Sequence, residues 1–387
     1  MTTGAEKTII ILGGGIGGIV TARRLRKRLG RRHRVVVVDR SDRHLFAPSL
    51  LWLMVGERRP EAIQRDLSRL EKKGIEVITG EVTAIDPEQR RVTVDGRDLE
   101  ADHLVISLGA ELAPERLPGL AEAGHNLYTL EGATAIRDTR AQLTSGRLVV
   151  LVAAMPFKCP AAPYEAAMLL EHDLRKRGVR DNVSITLFSP EPGPMGVAGP
   201  EMSAAVRGMV EQRGITYRPQ HRVTSVDPEA HTLQFENGEE DGFDYLAYVP
   251  PHAAPKAVID AGLTNDSGWI PVDRGSMATR FEGVYAIGDV TTIPLAIGLP
   301  LPKAGTFAHG QAEMVADTIA AAVRGRGEPG VFNGHGACFI EVGGGRAGMG
   351  SGNFYAEPAP QVKMRAPGRF SHWGKVLFEK WWFFRWA

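Results

Sequence analysis

Two cysteines are the side chains of this sequence best suited to redox or nucleophilic chemistry. Cys159 lies in the segment PFKCPAAPYE at 156–165, and Cys338 lies in NGHGACFIEVGGG at 333–345. Because both segments are rich in proline or glycine, we place both cysteines in loops and not in the periodic apolar runs typical of inert buried cysteines. Two such thiols could exchange disulfides or attack an electrophile. The alternative is a pair of unrelated core thiols.

The neighbours of Cys159 indicate how its thiol could be activated. Lys158 precedes it, and a helix is predicted to begin just after it, so a cation and the positive end of a helix dipole should both lower the thiol pKa. Glu165 could accept a proton from an attacking thiol or sulfide as a general base. Equally, Glu165 could simply be a favourable acid in the first turn of that helix.

The N-terminal segment predicts a dinucleotide site. The run KTIIIL at 7–12 is followed by GGGIGG at 13–18 and then by a segment with helical spacing. In such a turn Gly13 permits the tight bend, Gly15 permits close approach to a pyrophosphate, and Gly18 permits close helix packing. A second strand, RVVVV, ends at Asp39, roughly 20 residues further on, where an acid can bind a ribose hydroxyl.

Two later glycine turns belong to the same prediction. LVISLGA at 104–110 and GVYAIGDV at 283–290 each resemble a buried strand that runs into a turn. Asp289 could cap a helix, a role that is compatible with ligand binding. The further cofactor-binding candidates are Arg40, Val82, Gly109, Ala110, Gly288 and Asp289.

A second nucleotide-binding unit is predicted to begin with the strand LVVLVA at 148–153. The loop that follows it, AMPFKCPAAPYE, lacks the glycines that let a backbone approach phosphates closely. We therefore expect that NAD(P)H does not bind there and that Cys159 occupies this position instead.

These motifs, in this order, resemble the flavoprotein disulfide reductases and, more narrowly, the sulfide:quinone oxidoreductases and the related flavocytochrome c sulfide dehydrogenases. The narrower resemblance rests on CPAAPYE, YAIGD, LPKAGTFAHGQAE at 301–313, HGACFIEVGGG and the FEKWW tail. It implies that Asp289 binds the ribityl chain of FAD and that Lys303 lies near the pyrimidine end of the flavin ring. There a cation would stabilise the charge of the reduced flavin. The alternative for Lys303 is an ordinary surface lysine.

The resemblance also implies an activity. The two cysteines would hold a disulfide or polysulfide bridge, and sulfide would be oxidised to polysulfide or sulfur with electrons passing through FAD to a membrane quinone. With only these two cysteines in the chain, FAD should be noncovalent. Three alternatives stay open: a type II NADH:quinone dehydrogenase, a flavocytochrome c-type sulfide dehydrogenase subunit, and a non-catalytic FAD-binding interaction protein.

The C-terminal segment FSHWGKVLFEKWWFFRW at 370–386 combines aromatic and basic side chains. Aromatic residues favour a lipid interface, and Lys375, Lys380 and Arg385 should favour anionic headgroups. We expect this segment to lie on a membrane surface and not to cross it. A helix docked on the protein's own core or in a dimer contact is the alternative.

Composition and segment order complete the predictions. Lys and Arg number 46 against 45 Asp and Glu, so no basic field indicates nucleic acid, and no histidine or cysteine spacing indicates a metal site. No export leader is visible, which predicts a peripheral membrane protein on the cytoplasmic side.

We predict an α/β fold with two Rossmann-like domains and possible homo-oligomers. The predicted boundaries are 1–112 plus 251–330 for the FAD domain, 113–250 for the second domain and 331–387 for the C-terminal region.

Overall fold

A five-stranded parallel sheet contains the first strand of the chain and carries the glycine-rich turn. The computed structural model describes residues 5–386. The strands of this sheet, in spatial order, are Val284–Ala286, His103–Ile106, Thr8–Leu12, Arg34–Asp39 and Glu76–Thr79. The isoleucines of the central strand and the valines at 35–38 are buried, because helices or loops cover both faces of a parallel sheet.

A second five-stranded parallel sheet follows the same plan. Its strands, in spatial order, are His125–Asn126, Tyr245–Val249, Gly146–Val152, Val183–Phe188 and Thr216–Arg218. The short antiparallel pair Glu111–Leu112 and His252–Ala253 lies where the chain passes between the two sheets. The prediction of an α/β fold with two Rossmann-like domains is confirmed.

The α-helices lie against these sheets or connect their strands. In chain order they are α1 (Ile16–Leu29), α2 (Leu50–Met54), α3 (Leu120–Ala123), α4 (Leu130–Arg140), α5 (Ala162–Lys176), α6 (Pro200–Glu211), α7 (Lys256–Asp260), α8 (Gly305–Arg324) and α9 (Arg369–Arg385). Helices α1 and α8 pack together, and Arg24 of α1 pairs with Glu313 and Asp317 of α8 at 2.6 and 2.7 Å. This packing holds the glycine turn at the start of α1 next to the start of α8.

Smaller antiparallel sheets and strand pairs surround the two parallel sheets. One three-stranded sheet contains Val82–Asp86, Arg91–Val94 and Arg97–Glu100, and another contains Val223–Asp227, Thr232–Phe235 and Glu240–Gly242. Of the two remaining short pairs, Arg43–Leu45 with Gln64–Asp66 is antiparallel, and Ile270–Pro271 with Thr291–Thr292 is parallel.

The second cysteine lies in a third antiparallel sheet formed by His335–Glu341, Ala347–Asn353 and Gln361–Gly368. The prediction that Cys338 lies in a loop is therefore wrong, since Cys338 pairs with Gly350 inside the sheet. The glycines of this segment serve close packing instead. A Cβ atom on Gly336 would lie 2.3 Å from the ring of Phe307.

Helix α9 packs on the protein through its polar face. It buries Ser371, Lys375, Glu379 and Trp382. An outer stripe of apolar side chains faces solvent, with exposed fractions from 44 to 90%: Phe370, Trp373, Leu377, Trp381 and Phe384. Among the described residues, the helices include none with the length and apolar character needed to cross a bilayer.

Candidate active site

A cleft of about 460 Å³ lies where strands of the first sheet end at their carboxyl edge, the position where open α/β sheets bind ligands. The structure brings most of the predicted site residues to this cleft. Those that line it are Gly13, Gly15, Asp39, Arg40, Val82, Gly109, Ala110, Cys159, Gly288, Asp289 and Lys303. Gly18, Glu165 and Cys338 lie outside its lining.

The glycine-rich turn divides into positions that are full and one that is open. Gly13 has a φ of +102°, and a Cβ there would lie 2.3 Å from the carbonyl oxygen of Ser107. A Cβ on Gly18 would lie 1.8 Å from the carbonyl oxygen of Gly13. Gly15, by contrast, has no atom within 4 Å of such a Cβ and borders the cleft. The space beside Gly15 therefore fits a group as large as a pyrophosphate.

Asp39 is held at the end of its strand by two backbone N–H groups. Gly14 donates to its Oδ2 at 2.5 Å, and Ser41 donates to its Oδ1 at 2.8 Å. His44 lies against the same turn, with its Nδ1 at 3.0 Å from the carbonyl oxygen of Gly14. The carboxylate is thus oriented at the rim of the cleft, where it could accept a hydrogen bond from a ribose hydroxyl.

Asp289 is half-buried, but one of its two carboxyl oxygens is enclosed. Its Oδ1 atom has no hydrogen-bond partner among residues 5–386, and burial raises the pKa of this carboxyl, opposed by Lys158 and Lys303. Leaving a buried acceptor without a donor costs about 1–3 kcal/mol or more. A ligand hydroxyl in the cleft would satisfy it, which fits the ribityl chain of FAD.

Lys303 is not a surface lysine, because it is 8% exposed. Its Nζ donates to the carbonyl oxygens of Asp289 at 2.7 Å and of Thr291 at 2.9 Å, and lies 3.4 Å from the ring centroid of Trp269. Burial lowers the pKa of Lys303 to about 7. Its side-chain amine, at the wall of the cleft, can therefore change between the protonated and the neutral form near neutral pH.

The backbone around Cys159 is fixed to the segment that carries Lys303. The Cys159 N–H donates to the carbonyl oxygen of Lys303 at 2.7 Å, and the hydroxyl of Tyr128 donates to that of Lys158 at 2.6 Å. Cys159 itself has a φ of +50°, in the left-handed region that usually favours glycine. For residues other than glycine, this backbone conformation costs about 1–3 kcal/mol of stability, and such residues cluster at functional sites.

The thiols of Cys159 and Cys338 lie together. A hydrogen bond to Cys338, followed by burial, raises the pKa of Cys159 well above its usual value, while Lys375 opposes this shift. The prediction that Lys158 and a helix dipole lower this pKa is therefore wrong. Lys158 is itself so enclosed that burial lowers its own pKa. In the structure both cysteines are free thiols.

Glu165 belongs to a buried ionic cluster, which we define as Glu165, Glu341, His372 and Lys375. Glu165 Oε2 accepts hydrogen bonds from Lys375 Nζ at 2.7 Å and from the Glu341 N–H at 2.8 Å. The Glu341 carboxylate lies 3.1 Å from His372 Nδ1, and burial raises the pKa of Glu341. Lys375 thus faces inward, so the prediction that it meets lipid headgroups is wrong.

A family model described as pyridine nucleotide-disulphide oxidoreductase matches residues 7–314. The chain belongs to this family. As predicted, it is an FAD-dependent oxidoreductase, and the glycine turn, Asp39 and the unpartnered Asp289 oxygen provide a site that fits this cofactor.

The relatives of this oxidoreductase confirm the narrower resemblance. It is 28% identical to a sulfide-quinone reductase of Aquifex aeolicus over 98% of this chain and 90% of the relative. A mitochondrial sulfide:quinone oxidoreductase of Mus musculus is 24% identical over 90% of this chain and 79% of the relative. The crystal structure of the sulfide:quinone oxidoreductase from Aquifex aeolicus superposes with a TM-score of 0.89 at 27% identity, covering 98% of this chain and 91% of that one.

Several residues of the oxidoreductase site were not predicted from sequence. His44 connects the glycine turn to α9, because Trp382 Nε1 donates to its Nε2 at 2.9 Å. Glu341, His372 and Tyr128 were also missed. Their partners lie far away in the chain, so no local motif marks them. Lys375 gave one usable signal, since it shares a helical face with Ser371 and Glu379 while the exposed apolar residues of the outer stripe lie on the opposite face.

Proposed function

We propose that this oxidoreductase oxidises sulfide to polysulfide or sulfur through Cys159 and Cys338, with electrons passing through FAD to a membrane quinone. The observation that carries the proposal is that Cys159 lines the cleft that fits FAD and that its thiol interacts with the thiol of Cys338. The similarity to the sulfide-quinone reductases named above supports sulfide and quinone as the substrates. The loop that would bind a nicotinamide cofactor carries Cys159 in place of a glycine fingerprint.

The proposed cycle begins with a disulfide between the two cysteines. Hydrosulfide attacks one sulfur, so that a new S–S bond forms, the old one breaks, one cysteine carries a persulfide and the other becomes a thiolate. Persulfide and thiolate then join as a trisulfide, releasing one proton and two electrons. FAD, when bound, accepts these two electrons. Further hydrosulfide attacks the trisulfide, which leaves a longer hydropolysulfide on one cysteine and a thiolate on the other. This thiolate either joins the terminal sulfur, releasing another proton and two electrons, or attacks the sulfur of the other cysteine, which re-forms the disulfide and releases the chain as polysulfide.

We assign the remaining roles to residues of the cleft. Asp39 and Asp289 would hold hydroxyl groups of noncovalent FAD, and Gly15 would leave room for its pyrophosphate. Lys303, at the cleft wall, would stabilise negative charge on the reduced cofactor. Glu165 remains the proposed general base for sulfide or the thiol pair, and its hydrogen bonds to Lys375 and Glu341 would fix its orientation.

We also propose a membrane-surface location on the cytoplasmic side. The outer stripe of α9 exposes aromatic and aliphatic side chains along the whole helix, which is typical of a segment that lies in a lipid interface. A quinone is soluble in lipid, so this location would give the reduced enzyme access to its acceptor. The domain boundaries predicted from sequence and a homo-oligomeric state are proposals of the same kind.

Steady-state quinone reduction tests the proposal. The purified holoenzyme is supplied with a short-chain quinone and either sulfide or NADH, under anaerobic conditions. We expect sulfide to drive quinone reduction with formation of polysulfide, and NADH to drive none. NADH-dependent reduction that survives Cys159→Ser would replace the proposal with an NADH:quinone dehydrogenase. Sulfide-dependent reduction of added cytochrome c, with no reduction of the quinone, would support the cytochrome-linked alternative.

A further inference from the structure

A second cavity, also of about 460 Å³, lies beside α9 and is lined by different residues from the flavin cleft. It lies between α9 and the segment 58–69. Its lining residues are Arg58, Ala62, Arg65, Arg69, Glu379, Lys380, Phe383 and Phe384. The sulfide chemistry proposed above uses none of these side chains.

The charge of this cavity is strongly positive. Glu379 is the one acid among its described lining residues, and Arg58 neutralises it at 2.9 Å while the Ser49 hydroxyl also donates to it. The other three cations are Arg65, Arg69 and Lys380, and none of them forms an ion pair within residues 5–386. Burial and then the repulsion from Arg69 lower the pKa of Arg65, opposed by the attraction of Glu379. The site therefore has cations that an external anion could neutralise.

The cavity joins the outer stripe of α9. Phe384 lines the cavity and is also the last residue of the stripe, where it is 88% exposed. The guanidinium carbon of Arg65 lies 4.0 Å from the ring centroid of Phe383, so that ring supports the plane of the guanidinium. A cationic cavity thus opens beside apolar side chains of the outer stripe that are largely exposed to solvent.

We propose that this cavity binds the phosphate of an anionic phospholipid headgroup while the outer stripe contacts the acyl chains. Arginine is suited to phosphate because its planar fork donates two hydrogen bonds at once. A soluble phosphate would use the cations but would leave the stripe exposed, whereas an anionic lipid accounts for both features. The proposal rests on the membrane-surface location given above and adds to it a preference for headgroup charge.

Vesicle binding tests this headgroup site. The full-length holoenzyme is sedimented with vesicles of phosphatidylcholine alone and with vesicles that also contain phosphatidylglycerol. We expect the anionic vesicles to bind more tightly. We expect Arg65→Gln/Arg69→Gln to bind them about 25-fold more weakly, at roughly fivefold for each basic side chain, and to bind neutral vesicles like the parent protein. Flavin content and melting temperature report whether the variant is folded.

A matched control separates a local site from general charge. Arg97 and Arg116 are exposed and line neither cavity, so Arg97→Gln/Arg116→Gln removes the same charge and should retain anionic binding. Equal losses in both double variants would overturn the site. Equal binding of neutral and anionic vesicles by the parent protein would also overturn it, while leaving the membrane location intact. Failure to bind any vesicle would overturn the membrane location itself.

Inorganic phosphate without vesicles provides the last comparison. We expect it to leave the melting temperature of the parent protein unchanged. A rise in melting temperature that is lost in Arg65→Gln/Arg69→Gln would assign the cavity to a soluble phosphate and overturn the lipid assignment.

Discussion

At the scale of single residues, the glycines of the first turn show why identical residue types have different functions. A Cβ atom added to Gly18 would lie 1.8 Å from the Gly13 carbonyl oxygen, whereas one added to Gly15 would meet open space. A backbone oxygen cannot move away as the end of a flexible side chain can. Gly18 therefore serves the fold, and Gly15 serves the ligand.

Alanine at these two positions should separate stability from cofactor binding. We expect Gly18→Ala to lower the stability of the apoprotein by about 1–3 kcal/mol or more through overpacking. Gly15→Ala should leave the melting temperature of the apoprotein nearly unchanged but weaken FAD binding about 10-fold or more, since displaced phosphate contacts are worth about 1.5–3 kcal/mol. Thermal unfolding and flavin fluorescence titration measure the two effects. Unchanged FAD affinity in Gly15→Ala would contradict the assignment of the pyrophosphate position.

The lowered pKa of Lys303 predicts a pH dependence in the apoprotein. Its pKa is about 7 when folded and about 10.4 when unfolded, so between these values the unfolded chain binds more protons. Lys303 should therefore make stability rise with pH from about 7 to about 10, by at most about 1.4 kcal/mol per pH unit. Below pH 7 both states are protonated and the contribution is constant.

Comparison with Lys303→Met isolates this group, since the other titrating side chains are common to both proteins. The melting temperature of the parent apoprotein, minus that of the variant, should increase from pH 7 to 10. A difference that does not change with pH would show that Lys303 keeps an ordinary pKa in the folded protein.

Local motifs allowed much of the cofactor site to be predicted, because Gly13, Asp39 and Asp289 each lie at a strand end whose pattern is visible in a few residues. The state of Cys159 could not be predicted in this way. Its pKa depends on Cys338 and on burial, which are long-range contacts absent from the flanking sequence. The position of Cys338 in a strand was missed because a glycine-rich run resembles a loop unless close packing is known.

At the scale of elements, α9 is unusual in burying polar residues and exposing apolar ones. Lys375 and Glu379 of α9 form ion pairs with Glu165 and Arg58 of other segments. The sequence indicated an amphipathic helix and left open whether it faces lipid or protein. The structure has one face packed on the protein, with Trp382 buried and Trp373 62% exposed.

The pair between Lys375 and Glu165 should be expensive to break from one side. Their side chains are 8 and 2% exposed, so Lys375→Met leaves a buried carboxylate uncompensated, at a cost of about 3–5 kcal/mol. The double variant Glu165→Gln/Lys375→Met should recover most of that loss. Denaturant unfolding of the single and double variants measures the coupling. A double variant no more stable than Lys375→Met would contradict the pairing.

At the scale of the whole molecule, the order of strands and glycine turns was sufficient to predict two Rossmann-like domains. It was not sufficient to predict how the C-terminal sheet and α9 close over α5 to bring Cys338 to Cys159. That arrangement depends on the buried ionic cluster and on contacts between segments more than 170 residues apart, such as Glu341 with Glu165, whose separation is 176. Periodicity carries no information on such contacts.

The outer stripe predicts how the whole molecule meets a membrane. We expect Trp373→Ser/Leu377→Ser to reduce vesicle binding more than tenfold, since each apolar side chain buried in lipid contributes about 1.5–3 kcal/mol. The melting temperature of this double variant should change little because both replaced side chains are 62% exposed. The buried Trp382 provides the contrast, and Trp382→Ala should cost about 3–5 kcal/mol of stability. Undiminished vesicle binding by the stripe variant would place the membrane contact elsewhere.

Anaerobic reduction of the bound flavin, followed by its visible absorbance in a rapid-mixing experiment, tests the central claim most directly. We predict that sulfide bleaches the oxidised flavin of the parent protein rapidly and that NADH does not. Cys159→Ser and Cys338→Ser should retain FAD and lose the bleaching by sulfide. Bleaching by NADH alone would contradict the assignment of the chemistry to this pair of thiols. Reduction of the flavin by sulfide at the parent rate in either serine variant would contradict it as well.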